Sequence, residues 1–262
     1  MLEKFRLAKE AEIKALKKLE DQGHSHQPWI LLRPSLGLAL MHPKSHGIIA
    51  EFKRASPSQG DINVDISPLD ACLGYARAGA SALSILTESR YFKGELNFLV
   101  EVAQLGLPLL RKDFIIHPLQ VLATRATPAS AILLIVRMFP NQKELDQIHG
   151  LCLDLDLEPV VEVFDHHDLD RAKEIGARII QVNHRDLDTL QTDLNRSLEL
   201  VQHKEAGEIW IGASGISTLA QVQTLKRAGL DALLLGTALM HSHDPGQSLA
   251  KLINPKEDHH DH

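Results

Sequence analysis

Ala78 to Leu86 reads AGASALSIL, and the same join of a helix end to an apolar run returns as TPASAILLI from Thr127, IGARIIQV from Ile175 and AGLDALLLG from Ala228. The turn residues Gly79, Pro128, Gly176 and Gly229 lie 49, 48 and 53 positions apart. Glycine after a helix closes it in a left-handed cap, and about 50 residues is the length of two strand-helix units, so the echo marks every second strand.

Working outward from the echoes, eight short apolar runs alternate with segments of helical length: Ile48-Phe52, Ala82-Leu86, Pro108-Arg111, Ala131-Val136, Pro159-Val163, Ile179-Val182, Ile209-Ile211 and Ala232-Leu235. Each is apolar at consecutive positions, as a parallel strand covered on both faces must be. Eight such units predict an α/β chain folded as a (β/α)8 TIM barrel. A doubly wound open sheet would call for a G-x-G-x-x-G turn after its first strand, and the chain has none.

The pattern divides the 262 residues into an N-terminal helical extension and linker (1–46), the barrel (47–254) and a polar, His-rich tail (255–262), which is expected to be disordered. Leu2 to Leu19 predicts a helix with Phe5, Ile13, Leu16 and Leu19 on one face, followed by a polar linker containing Gly23 and Pro28. A net charge of −6 without a basic block gives no nucleic-acid footprint, and no apolar run approaches the 18 or so residues of a membrane span. Cys72 and Cys152 are too few for a disulfide framework. These features together predict a cytoplasmic protein with neither nucleic-acid nor membrane partners. His241 and His243 form a weak i, i+2 pair read as surface residues, Asp258 to His262 clusters only in the tail, and neither predicts a metal site.

Active sites of such barrels are built from the carboxyl ends of the strands and the loops that follow. That rule selects Glu51, Lys53 and Ser56 after the first run, Lys112-Asp113-Phe114 after the third, Glu162 after the fifth, Asn183 and Arg185 after the sixth, Ser214-Gly215 after the seventh and Gly236-Thr237 after the eighth. Two lysines and two glutamates therefore face one mouth. They either pair with one another in a polar layer or serve acid-base chemistry. The two pairs of a hydroxyl and a glycine on the last two units suit close backbone approach to a phosphate.

IIAEFKRASPSQG (Ile48 to Gly60), LPLLRKDFIIHPLQ (Leu107 to Gln120), PVVEV (Pro159 to Val163), VNHRDL (Val182 to Leu187), ASGI (Ala213 to Ile216) and LLLGTALM (Leu233 to Met240) resemble, in order and spacing, the motifs of the indole-3-glycerol-phosphate synthase family of tryptophan biosynthesis. The likeness runs over roughly residues 46 to 250, and the helical preface resembles the family's extension over the site. It implies a small phosphorylated substrate, 1-(2-carboxyphenylamino)-1-deoxyribulose 5-phosphate, closed to an indole with loss of carbon dioxide and water and with no cofactor. It further implies Lys112 as the acid at the ketone, Glu162 as a base, Lys53 on the substrate carboxylate and departing hydroxyl, Glu51 orienting these cations, and Asn183 and Arg185 in polar contact. Ser56, Ser214, Gly215, Gly236 and Thr237 would hold the phosphate, while Phe92, Phe114, Leu133, Ile135 and Leu234 would enclose the anthranilate ring. Either a monomer or a weak homo-oligomer fits, and association with other tryptophan-pathway enzymes stays open.

Several positions depart from the family pattern. Ala213 stands where a glutamate usually precedes Ser-Gly, Glu95 replaces a serine, Gln59 a common lysine, Pro128 and Ser130 break a Gly-Ala-Asp pattern, and His184 is unusual between Asn183 and Arg185. They keep two other readings open: a catalytically weakened barrel that binds a phosphorylated ligand or partner in a regulatory role, and a related phosphoribosyl isomerase-type barrel.

Overall fold

Runs that are apolar on both faces become the wall of a closed barrel. In the computed structural model, which describes residues 2–24, 26–186 and 189–253, the strands are β1 (Ile48–Phe52), β2 (Ala82–Leu86), β3 (Leu109–Lys112), β4 (Ala131–Ile135), β5 (Glu158–Val163), β6 (Ile179–Asn183), β7 (Ile209–Ala213) and β8 (Ala232–Leu235). They pair in parallel and in sequence order, and β8 closes on β1 through Ile48 to Leu233 and Ile49 to Leu234. Every residue of β1, β2, β4, β6 and β8 is buried, which explains why no polar alternation marks them in the sequence. The (β/α)8 architecture is therefore the one the repeat predicts. β6 and β7 run further than expected, so Asn183 and Ala213 are strand residues, paired in register with each other.

The helices are α1 (Leu2–Asp21), α2 (Leu36–Met41), α3 (Pro68–Ala78), α4 (Ser89–Phe92), α5 (Phe98–Val102), α6 (Pro118–Arg125), α7 (Gln142–Asp154), α8 (His166–Glu174), α9 (Asn195–Leu200), α10 (Leu219–Arg227), α11 (Thr237–Met240) and α12 (Pro245–Ile253). Side chains at Ser67, Asn141, Asp165 and Thr218 accept the first free amides of α3, α7, α8 and α10. Gly79, Gly176 and Gly229 adopt the left-handed backbone the echo calls for, with φ of 97°, 72° and 109°. At the second echo, where Pro128 has no N–H to give, Thr127 closes the turn instead: its hydroxyl donates to Thr124 O at 2.7 Å and accepts from the Ala129 amide at 3.2 Å.

Within the stretch read as linker the chain forms α2, a helix too short for periodicity to announce. Leu36 and Leu40 are buried, and Glu158, the first residue of β5, accepts from Ser35 Oγ at 2.9 Å and from the Gly37 amide at 3.1 Å. This places α2 over the amino-terminal end of the barrel. The preface helix α1 lies at the opposite end, over the carboxyl ends of the strands. Its buried residues are Phe5 and Lys9, with Ile13 and Leu16 half-buried, whereas Leu19 is 40% exposed. The expected apolar face is thus replaced by one that carries a buried cation, for a reason found at the site. Among the described residues, no helix is long and apolar enough to cross a membrane. Cys72 and Cys152 are free and buried, and burial pushes both thiols up, Cys152 to about 12. The tail lies outside the described residues.

Candidate active site

A cavity of about 400 Å³ opens at the carboxyl ends of the strands, and the site residues selected from the sequence all line it. Parallel pairing is what aims them. Glu162 is in register with Gln181 and Ile135, Asn183 with Ala213, and Ala213 with Leu234, so side chains from β4 to β8 project inward at neighbouring heights.

The charged groups form two pairs. Just past β1, Lys53 Nζ donates to Glu51 Oε1 at 2.8 Å and to the Thr237 hydroxyl at 3.0 Å. Two strands apart, Lys112 Nζ on β3 lies 3.8 Å from Glu162 Oε2 on β5, an ion pair too long for a hydrogen bond. Both lysines are thus paired, yet their side chains stay partly exposed, 12% for Lys53 and 20% for Lys112. The carboxylates are the oriented partners. Glu162 accepts from Gln181 Nε2 at 2.6 Å and from Asn183 Nδ2 at 3.0 Å, and Asn183 Oδ1 in turn accepts from the Arg185 backbone amide at 3.0 Å. Glu51 keeps one buried oxygen, Oε2, without a partner among the described residues.

Across the mouth the wall is small residues and backbone. Ser214 and Gly215 are both left-handed, with φ of 75° and 73°, and a Cβ on Gly215 would stand 2.3 Å from Thr192 Cγ2. Gly236 is needed for a different reason: a Cβ there would meet Glu51 Oε1 at 2.3 Å. It therefore lets Glu51 seat beside the last turn. Ser56 is buried on the first loop, with its hydroxyl 3.4 Å from that of Ser58. His241 and Gln59 bridge the rim at 3.1 Å, with both His241 and His243 at the surface.

The remaining wall is apolar: Phe92, Phe114, Leu133, Ile135 and Leu234 all face the cavity, and α1 adds a side chain that the strand-end rule does not select. Phe5 stacks on Phe114 at 4.2 Å with 13° between the rings and meets Tyr91 edge-on at 5.4 Å. One turn along α1, Lys9 Nζ lies 2.5 Å from Asp113 Oδ1. Asp113 also accepts from Thr87 Oγ1 at 2.6 Å and from Arg111 Nη2 at 3.0 Å, while Arg111 reaches Glu12 of α1 at 3.2 Å. Burial pushes the Asp113 carboxyl up, but the charges of Arg111 and Lys9 and the bonds from Lys9 and Thr87 outweigh it and hold the group below the ordinary carboxylate range. This network, next in the chain to Lys112, explains the buried cation on α1.

The model of the indole-3-glycerol phosphate synthase family matches residues 2–252. The chain belongs to the indole-3-glycerol phosphate synthase family. The family match takes in α1 as well as the barrel. Proteins named indole-3-glycerol phosphate synthase that it resembles include those of Aquifex aeolicus, 43% identical over 79% of this chain and 80% of the relative, and of Desulfosudis oleivorans, 40% identical over 79% of each. That of Carboxydothermus hydrogenoformans is 36% identical over 91% of this chain and 90% of the relative. Among solved structures, a 3-hexulose-6-phosphate synthase superposes with a TM-score of 0.58 at 15% identity, covering 79% of this chain and 97% of that one. At that identity it speaks for the synthase family's barrel fold alone.

Proposed function

We propose that this protein closes 1-(2-carboxyphenylamino)-1-deoxyribulose 5-phosphate to indole-3-glycerol phosphate, releasing carbon dioxide and water. The observation that carries the reading is the pair of lysine-carboxylate couples facing one cavity, opposite a Ser-Gly turn and beside an aromatic wall. It is a small-molecule enzyme acting in the cytoplasm as a monomer or weak homo-oligomer.

The ring carbon that bears the carboxylate attacks the ketone carbon, and the ketone oxygen takes a proton from Lys112. What supports Lys112 in this role is an ammonium that keeps its ion pair but is free to donate toward the cavity. Carbon dioxide then leaves, and the electrons of the broken carbon-carbon bond restore the aromatic ring, so the ring itself acts as the electron sink. Departure of the hydroxyl as water needs one proton delivered and one removed. Lys53, held between Glu51 and Thr237, takes the delivery and the earlier contact with the substrate carboxylate, and Glu162, fixed by two amide donors, takes the removal. Glu51 orients Lys53, Asn183 and Arg185 shape the polar floor, and Ser56, Ser214, Gly215, Gly236 and Thr237 hold the phosphate. Phe92, Phe114, Leu133, Ile135 and Leu234 enclose the ring.

Purified protein incubated with this substrate is expected to develop indoleglycerol phosphate fluorescence, and activity is expected to survive exhaustive EDTA treatment. A signal no greater than that of Lys112→Ala overturns the assignment. Ala213 favours a second reading, a barrel that holds the phosphorylated ligand with little turnover, since an inward position beside Asn183 carries no carboxylate. Rescue of a tryptophan auxotroph counts against it.

A further inference from the structure

His184 follows β6 directly and is completely buried, although it touches none of the groups assigned to proton transfer. Its ring bridges two segments that are remote in the chain: Nδ1 lies 2.7 Å from the carbonyl oxygen of Ser214, and Nε2 lies 2.6 Å from Ser197 Oγ in α9. A carbonyl can only accept, so Nδ1 carries the proton. Nε2 is then the acceptor of the Ser197 hydroxyl. The backbone of His184 is fixed as well, its amide donating to Ala213 O at 2.9 Å and its carbonyl accepting from the Asp193 amide and Arg196 Nη1, both at 3.0 Å. The neighbouring strand approaches closely, for a Cβ on Gly212 would meet the ring Cε1 at 3.4 Å.

Ser214 is the point of interest because it is a non-glycine residue at a φ of 75°. The left-handed region disfavours such a residue, so something outside the turn must hold it there. We infer that His184 is a positioning residue for the phosphate turn, its Nδ1–H gripping the Ser214 carbonyl and so keeping Ser214 and Gly215 in the left-handed pair that faces the cavity. The inference rests on the reading of Ser214–Gly215 as the substrate's phosphate site. Burial pushes the imidazole down to about 4, Arg196 acts in the same direction, and the Ser214 carbonyl and Asp193 oppose them, so the ring stays neutral with its tautomer intact at physiological pH.

Two amides separate the two bonds. His184→Asn puts an N–H donor where Nδ1 stands and loses the Ser197 contact, while His184→Gln keeps reach to Ser197 and loses Ser214. Steady-state kinetics are expected to leave KM within about twofold for His184→Asn and to raise it about five- to tenfold for His184→Gln, the size of one hydrogen bond, with kcat within about twofold in both. A residue that merely fills the core would shift thermal midpoints without this KM split. Equal KM values, or the larger rise in His184→Asn, overturn the inference. Nitrogen-15 correlation spectra of the unaltered protein give a check that does not depend on a variant folding. They are expected to show the Nδ1–H tautomer and a His184 signal that moves as inorganic phosphate is titrated in, and an Nε2–H tautomer or an unmoved signal overturns the positioning role. Wild-type protein that neither turns over the substrate nor binds phosphate removes the reading of the site itself, and the inference with it. Turnover with an unmoved His184 signal removes only the inference.

Discussion

On the β3 side of the mouth, charges hold the wall: Lys9, Arg111 and Asp113 are each nearly inaccessible, and together with Glu12 they tie α1 to the strand that carries Lys112. On the β7 side, backbone conformation holds it: two consecutive left-handed residues, a glycine without room for a Cβ, and one neutral imidazole behind them. The division follows what the proposed function asks of each side. A wall that must seat α1 against the strand carrying the proposed proton donor is held by a buried ion network, which depends on every partner. A phosphate site needs donors already pointing one way, and fixed backbone provides them without any charge that titrates near neutrality.

The largest expected effect breaks the charged side at its reacting group. Lys112→Met is expected to lower kcat by about 10²–10⁴-fold, the range of a lost general acid, with substrate KM little changed. A loss below about tenfold in a rapid-quench assay would mean that another donor serves the ketone. Next comes the support behind it. Asp113→Asn leaves Lys9 and Arg111 sharing only the part-exposed carboxylate of Glu12, and urea unfolding is expected to show about 3 kcal/mol of lost stability, the lower end of the range for a broken buried pair. Lys9→Met in the same background is expected to recover part of it by removing one of the two cations. A cost for Asp113→Asn under about 1 kcal/mol would show that the charged wall is not held by charge.

Acid separates the two sides. His184 is lowered from 6.5 to about 4 in the folded protein, so the unfolded chain takes up a proton first as pH falls. Its contribution is complete above the unfolded value and is lost between about pH 6.5 and pH 4, amounting to about 3 kcal/mol at 1.36 kcal/mol per unit. Asp113 also favours higher pH, because its folded carboxyl lies below its ordinary value, but its contribution is lost only as pH falls through the carboxylate range. The phosphate side is thus expected to weaken first on acidification. Stability measured from pH 7 to pH 4.5 should fall less steeply in His184→Asn than in wild type, and parallel curves would refute the assignment of that slope to His184. The buried imidazole of His149 and the partly buried one of His117 are lowered too, and their shares stay in both proteins.

The same contrast explains what could be read from the sequence. The barrel was legible because its strands are apolar on both faces and its helix ends repeat, and the mouth because strand ends are a fixed address in this fold. Glu51, Lys53, Lys112 and Glu162 come from that address alone, whereas their grouping into two pairs depends on register and reach. Lys9 was not legible: on a charge-rich helix a lysine reads as solvated, and its partner Asp113 lies about a hundred positions away in the chain, so only tertiary packing makes it a core residue. Phe5 was visible as part of an apolar face, but nothing local says that the face ends in the cavity. His184 left one trace, an unusual residue between two family positions. Its function resides in a carbonyl thirty residues further on, which no spacing rule reaches.

The smallest effect tests whether backbone alone shapes the phosphate side. Gly215→Ala meets two obstacles: a φ of 73°, which a Cβ disfavours by about 1–2 kcal/mol, and Thr192 Cγ2 at 2.3 Å from the new carbon. Thr192 lies on an exposed loop bridged to Arg185, so it has somewhere to go, and the turn is expected to deform rather than the barrel to unfold. Substrate KM should rise by about tenfold at nearly constant kcat, with a thermal midpoint lowered by only a few degrees. Adding Thr192→Gly removes the contact but not the conformational cost. Recovery should therefore be partial, and complete recovery would show that the wall is shaped by side-chain crowding at Thr192 and not by the left-handed backbone of Ser214 and Gly215.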